Sequence, residues 1–475
     1  MRETDLLSAL QAHSVGGTYP FHMPGHKRNT ELLGDALPYA LDITEIDGFD
    51  DLHAPDGILK DLNDRLSVLY GTKQSFALVN GSTCGILAGI AAATRQGDKI
   101  LLARNCHKSV YNAVELLGLN PRYLQPPTDE KTGIAGSISP GSVRDALQKN
   151  PDIRLCVLTS PTYDGAISDI RTIADILHAK DIPLLVDEAH GAHLMFTENQ
   201  PHSAVAAGAD IVIHSLHKTL PALTQTAAAH LCTDRISSAV FQQKLSVFQT
   251  SSPSYVLLAS IAECVHFLEE NAKSAFSAYQ KRLNDFSAQC RTLTNLTVCC
   301  KGADNRTAHP AFFAFDGGKL PIVTANTDLD GVSLLQRLRE GYKLEGEMAS
   351  LPYALLMTSV CDTDAGFARL YKALQAIDDS LQSIAASSHF RSSPLPEQIF
   401  IPAEVPNNSG KKVPLQDAVG TVSLESVWCY PPGVPVLVRG ERITQEIADW
   451  LTNAKAHGLK VLADGGEFPK IAVLD

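Results

Sequence analysis

Between about residue 57 and residue 290, short apolar runs alternate with longer segments of helical periodicity. That is the rhythm of βαβ units around a mostly parallel sheet. Seven runs are expected as short buried strands: Ser75–Val79, Lys99–Ala103, Arg122–Gln125, Arg154–Thr159, Pro183–Asp187, Asp210–His214 and Thr226–Leu231. Helices are expected between several of them, at Thr83–Thr94, Ser109–Leu117 and Asp169–Ala179. A long helical pattern from Ser254 to about Thr292 is followed by shorter strands (Leu296–Cys300, Ala311–Phe315, Ala354–Ser359) and two helices, Gly331–Glu340 and Ala365–Ile384. This second stretch predicts a smaller α+β unit. Ser387–Pro414, rich in Ser, Pro and Asn, reads as a connector to a third small unit. The first fifty residues have weak periodicity, and Pro24-Gly25 interrupts any helix there. The fold class is therefore α/β with smaller α+β companions.

Composition narrows the picture. With 475 residues, 44% hydrophobic and 19% charged, the chain can bury a large core, which excludes disorder as its main state. A net charge of −12 repels nucleic-acid phosphate and anionic lipid, so a cationic small molecule suits it better than either. None of the ten cysteines stands in a C-x-x-C pair, which removes zinc-ribbon and thioredoxin readings, and no metal site is expected. Reduced thiols, a mixed-charge start and apolar stretches well short of the ~18 residues of a membrane span point to the cytoplasm.

Chemistry-bearing residues fall where predicted strands end. His214-Ser215-Leu216-His217-Lys218 places a lysine directly after an apolar run; a partly desolvated ε-amine there can condense with a carbonyl as a Schiff base. Its bland reading is a solvated lysine at a strand mouth. Asp187 closes another apolar run, where a carboxylate can hold a proton on a heteroaromatic nitrogen or simply cap the next helix. The tetrapeptide Asp187 to His190 also suits a helicase metal box, but no phosphate loop of the required form is present. Asn80-Gly81-Ser82-Thr83 can grip a phosphate at a helix start or serve as a plain N-cap. His107 follows a further strand, either as a ring-stacking group or as a partly exposed histidine beside a cap. Together these residues supply a phosphate grip, a stacking ring, a ring-nitrogen partner and a Schiff-base lysine, the needs of pyridoxal 5'-phosphate.

Eight segments in order carry a resemblance: Phe21–Lys27, Asp50–Pro55, Asn80–Thr83, Asn105–Ser109, Pro161–Gly165, Val186–Gly191, Ser215–Lys218, and Tyr430–Pro435 leading to Gly440-Glu441. In these the chain resembles, over nearly its whole length, the Orn/Lys/Arg decarboxylases in their short bacterial, arginine-decarboxylase-like form. The resemblance implies a fold type I PLP-dependent transferase, with a mostly parallel seven-stranded sheet in the large domain. It implies that Lys218 is the Schiff-base lysine, Asp187 the pyridine-nitrogen partner and His107 the stacking ring. Ser82, Thr83, Ser215 and His217 would hold the phosphate, His190 would lie beside the cofactor, and Glu441 would receive the substrate's distal cation. It further implies an N-terminal segment (1–50) near a homodimer interface, a PLP-binding large domain (51–290), a small domain (291–390) and a C-terminal decarboxylase domain (391–475). The expected activity is decarboxylation of a basic amino acid, arginine first, then lysine or ornithine, in polyamine biosynthesis. Transamination, aldol-type cleavage and a non-catalytic regulatory paralogue are the alternatives.

Overall fold

This computed structural model describes residues 5–197, 203–299, 311–384, 394–406, 410–430, 433–466 and 468–474. Much of the expected connector, Cys300 and Pro431-Pro432 lie outside the described residues. Two compact units are present, one of residues 1–93, 183–196 and 202–276, the other of residues 94–182, 197–201 and 277–475.

The strands through residue 231 are β1 (Gln74–Leu78), β2 (Lys99–Ala103), β3 (Asn120–Leu124), β4 (Ile153–Thr159), β5 (Ala166–Ile167), β6 (Leu184–Asp187), β7 (Ile211–His214) and β8 (Ala227–Leu231). Seven of them form one sheet in the order β1-β8-β7-β6-β4-β2-β3. The expected α/β class and the mostly parallel seven-stranded sheet are both present. Pairing is parallel for β6 with β7 and for β2 with both β3 and β4, while β8 runs antiparallel to β1 and β7. The strands are continuous apolar runs rather than alternating ones because helices cover both faces of such sheets.

In the first unit, the helix Ile58–Tyr70 buries Leu59, Leu62, Leu66 and Tyr70 at helical spacing and stops at Gly71 in the left-handed conformation. The helix Gly81–Ala93 lies close on the sheet because Gly85 and Gly89, one turn apart, present no side chain. A Cβ at Gly85 would stand 2.9 Å from Leu78 Cδ1, and one at Gly89 would stand 2.6 Å from Leu185 Cδ1. Since β1, β6 and β7 all run in one sense, their C-terminal ends, and the segments after Leu78, Asp187 and His214, share one edge.

In the second unit, the parallel strands β2 and β4 likewise bring the segments after Ala103 and Thr159 to a common edge. Beyond them come β9 (Thr297–Val298), β10 (Ala314–Phe315), β11 (Lys319–Val323), β12 (Met348–Ala349) and β13 (Tyr353–Met357). Four of these form a sheet in the order β12-β13-β11-β9, and β10 pairs with β5. The last strands are β14 (Lys411–Pro414), β15 (Val427–Cys429), β16 (Val434–Leu437), β17 (Val461–Ala463) and β18 (Lys470–Val473). With the helix Gln445–Ala456 they enclose a core of their own around Leu437, Ile443, Ile447 and Leu451.

Candidate active site

The first unit gathers seven of the nine expected site residues at the C-terminal ends of β1, β6 and β7. Asp187 ends β6, is buried, and accepts the Ala189 N–H on Oδ1 at 3.1 Å. His214 ends β7, and the turn that follows carries Ser215, His217 and Lys218 into the short helix Leu216–Thr219. Lys218 Nζ lies 3.0 Å from His190 Nε2, so the amine meets an imidazole delivered by the segment after β6. His217 Nδ1 donates to Thr226 O at 2.8 Å. Burial, joined by the charge of Lys218, lowers the His217 pKa against the opposing effect of that hydrogen bond. Ser82, half-buried, and Thr83, exposed, open the helix Gly81–Ala93.

Two hydroxyls carry the test of whether a cofactor fits. Ser215 is completely buried and occupies the N-cap position, yet its Oγ has no hydrogen-bond partner among the described residues. Thr219 Oγ1, one helical turn on, is also without one. A buried hydroxyl left unpaired costs about 1–3 kcal/mol, and native structures keep such groups for a reason. Flanking Lys218 at a strand end, with Asp187 and His190 at hand, they are the donors an anionic, aldehyde-bearing ring needs. The residues fit pyridoxal phosphate.

The second unit holds the other two. His107 caps the helix Lys108–Leu116, its Nδ1 accepting the Ser109 N–H at 3.2 Å and meeting Ser109 Oγ at 2.9 Å. With Nδ1 accepting, the neutral ring carries its proton on Nε2. Gly433 passes beside that nitrogen at a positive φ of 83°, and its carbonyl accepts the Lys108 N–H at 3.1 Å.

Glu441, expected to receive the substrate's distal cation, pairs with Arg104. It is 1% exposed, and its two oxygens accept from Arg104 Nη1 and Nη2 at 2.8 and 3.0 Å, with the Val438 N–H at 2.7 Å from Oε2. The carboxylate assigned to the substrate's distal cation thus faces an internal guanidinium. Arg104 also donates to Val436 O at 3.0 Å and lies 4.9 Å from the Tyr123 ring centroid. Burial alone would lower its pKa, but the Glu441 charge reverses this and holds the guanidinium protonated. Sequence reasoning missed Arg104; an arginine abutting the apolar run of β2 was the available signal.

The family profile described as Orn/Lys/Arg decarboxylase, major domain, matches residues 4–318, and that described as its C-terminal domain matches residues 385–461. An arginine decarboxylase of Bacillus subtilis is 32% identical over 97% of this chain and 95% of its own length. The uncharacterized protein YaaO of the same organism is 35% identical over 93% of this chain and 92% of its own. Among solved structures, the Francisella novicida lysine decarboxylase LdcF superposes with a TM-score of 0.83 at 21% identity, covering 99% of this chain and 81% of that one.

Proposed function

From the premise that this chain belongs to the Orn/Lys/Arg decarboxylase family and is a pyridoxal-phosphate-dependent decarboxylase, we propose that its substrate is arginine, ahead of lysine and ornithine. The products are then carbon dioxide and the corresponding amine, made in the cytoplasm for polyamine synthesis. Full-length similarity to the arginine decarboxylases of Bacillus subtilis and Halalkalibacterium halodurans, at 32% and 31% identity, carries the choice of arginine. The Pseudomonas aeruginosa lysine decarboxylase LdcA matches only 53% of this chain, at 26% identity.

When bound, the cofactor supplies an aldehyde for the substrate amine and an electron-withdrawing ring that accepts the electrons of the bond being broken. In the proposed site, Lys218 Nζ would hold the aldehyde, and His190 Nε2, 3.0 Å away, would share its proton. Asp187, braced through Oδ1 by the Ala189 N–H, would hold a proton on the ring nitrogen. Ser82, Thr83, Ser215 and His217 would hold the phosphate, and His107 would be the stacking ring that the family resemblance implies. Lys218 Nζ or His107 would supply the proton that the product's Cα takes up.

A homodimer belongs to this reading. Tyr19, Phe21, Met23, Leu32 and Leu37 are all more than half exposed within one N-terminal stretch, and clustered apolar surface of this kind is usually covered by a partner. A second copy fits the proposed interface role of residues 1–50.

The deciding experiment incubates the purified, cofactor-loaded protein with arginine, lysine and ornithine, measuring carbon dioxide and identifying the amines by mass. Arginine is expected to give the highest kcat/KM with stoichiometric gas and amine. Faster turnover of lysine or ornithine overturns the substrate assignment, and a keto-acid product overturns decarboxylation.

A further inference from the structure

Behind the edge that carries Asp187 and Lys218, a line of polar side chains runs inside the first unit from just before β1 through β1, β8 and β7 to the residue after β6. Thr72 Oγ1 meets Ser75 Oγ at 2.7 Å, and Ser75 Oγ meets His230 Nδ1 at 2.8 Å. His230 Nε2 meets His214 Nδ1 at 3.0 Å, and His214 Nε2 meets Glu188 Oε2 at 2.7 Å. Register places the line on one face of the sheet: Ser75 is opposite His230, His230 is opposite Val212, and His214 lies two residues beyond Val212. Asp187 pairs with Ile213 and so belongs to the other face. Ser75, His214 and His230 are completely buried, Glu188 is 2% exposed, and Thr72 is half-buried.

Each link holds one proton, so the direction of donation at one link dictates the next. With Glu188 ionised, His214 donates from Nε2, His230 donates from Nε2 to His214 Nδ1, Ser75 donates to His230 Nδ1, and Thr72 donates to Ser75. With Glu188 protonated, every link reverses and both rings carry their proton on Nδ1. Passing between these states moves each proton one link along and releases or takes up a single proton at the Thr72 end, so the balance closes.

We propose that Thr72, Ser75, His230, His214 and Glu188 form a proton relay through which the buried Glu188 carboxyl exchanges its proton at Thr72, inverting the tautomer of both histidines together. Glu188 is a positioning residue in this arrangement: through His214 it grips the end of β7, from which Ser215 and Lys218 follow, and its charge stands one residue from Asp187.

The surroundings favour neutral rings with a titrating carboxyl. Burial pushes Glu188 up to about 8 and His214 down to about 3, and it lowers His230 as well. Facing Glu188 are the Ser203 hydroxyl at 2.5 Å, the Ala204 N–H at 2.8 Å, His193 and Cys232. Facing the imidazoles are His193 and the buried ring of Tyr70, whose centroid lies 4.9 Å from that of His214 and 4.7 Å from that of His230. Cys264 lies beside Tyr70.

The test is nitrogen NMR of the holoenzyme labelled with [15N]histidine, assigned by difference against H230N. Both rings are expected to be Nδ1-protonated near pH 6 and Nε2-protonated near pH 10, changing with one midpoint. E188Q, whose amide donates to His214 while its carbonyl still accepts from Ala204, is expected to hold both rings Nδ1-protonated at every pH. Ser75→Ala, which cuts the line on the solvent side, is expected to lose the concerted change. A doubly protonated His214, an inversion at one ring without the other, or unchanged rings across this range in the wild-type protein overturns the proposal. The readout is ring protonation rather than turnover, so its failure leaves the decarboxylase assignment standing.

Discussion

Lys218 Nζ and His190 Nε2 stand 3.0 Å apart at the ends of two adjacent parallel strands, delivered by segments that follow β7 and β6. Replacing Lys218 with Ala removes the amine proposed to anchor the cofactor. The expected outcome is loss of the visible absorbance of the loaded protein together with its turnover. His190→Phe keeps the anchor but deletes a hydrogen bond to a charged group, worth about 1.5–3 kcal/mol, so kcat should fall by roughly 10–100-fold with the absorbance retained.

Asp187→Ala should leave cofactor attachment measurable but lower kcat by about 10²–10³-fold, the scale of one preorganised electrostatic contact. Asp187→Glu, which returns the charge, should recover part of that loss. A variant at this position with unchanged kcat would show that the ring nitrogen finds its proton elsewhere.

In the absence of phosphate, burial, aided by Lys218, holds the His217 pKa below its ordinary 6.5, and Nδ1 is committed to Thr226 O. To donate to a phosphate from Nε2, the ring must take up a proton. Bound protein then carries more protons than free protein, so this residue makes cofactor affinity fall as pH rises above the free ring's lowered value. Titrating cofactor into His217→Gln alongside the parent isolates the effect, since the cofactor's own phosphate titrates in both. Identical pH profiles would remove His217 from the phosphate grip.

Glu441→Ala strands the Arg104 guanidinium in a buried site. Removing one partner of a buried pair costs about 3–5 kcal/mol, which should appear as a lower denaturation midpoint. A substrate-binding Glu441 would instead raise KM with stability intact, so the two readouts separate the roles.

Asp50 accepts the backbone N–H groups of Asp51, Asp56, Gly57 and Leu59 at 2.8 to 3.1 Å, tying the segment before the helix Ile58–Tyr70 to that helix's start. Burial raises its pKa, but these donors outweigh burial and the net value lies below the ordinary 3.8. Because the folded value is the lower one, the stabilisation is complete above the unfolded value and is lost as pH falls through the folded one. Asp50→Ala should cost about 1–2 kcal/mol near neutrality, as for a lost cap, and the gap from the parent should close in acid.

Much of the architecture could be read before the fold was known, wherever local chemistry decides. The strand Lys99–Ala103 was expected at its observed bounds, since polar neighbours delimit four apolar residues. The other six strands of the large sheet differ by one or two residues at their ends. The strand Lys319–Val323 was not anticipated: Gly317-Gly318 reads as a turn, and Pro321 argues against a central strand. It nonetheless lies between two neighbours, with Pro321 opposite Leu355 and its carbonyl accepting the Cys299 N–H. The helix expected to run to Ile384 ends at Asp378, whose carboxylate accepts the N–H groups of Thr294, Asn295 and Leu296, a stop imposed by distant residues.

The site divides in the same way. Lys218, Asp187 and Ser215 announce themselves as polar residues closing apolar runs. The pairing of Arg104 with Glu441 does not, because 337 positions separate them. Nor does the line from Ser75 to Glu188, whose members are strangers in the sequence until strands align; a histidine within Ala-Ala-Ala-His-Leu was its only local trace.

The Arg104–Glu441 clasp also bears on how the chain matures. Because Glu441 follows Arg104 by 337 residues, β2 and its neighbours are synthesised with an unmatched guanidinium between tyrosines. Truncation upstream of Glu441 therefore leaves a positive charge with no carboxylate to match it, whereas docking of the Glu441 segment hides that charge.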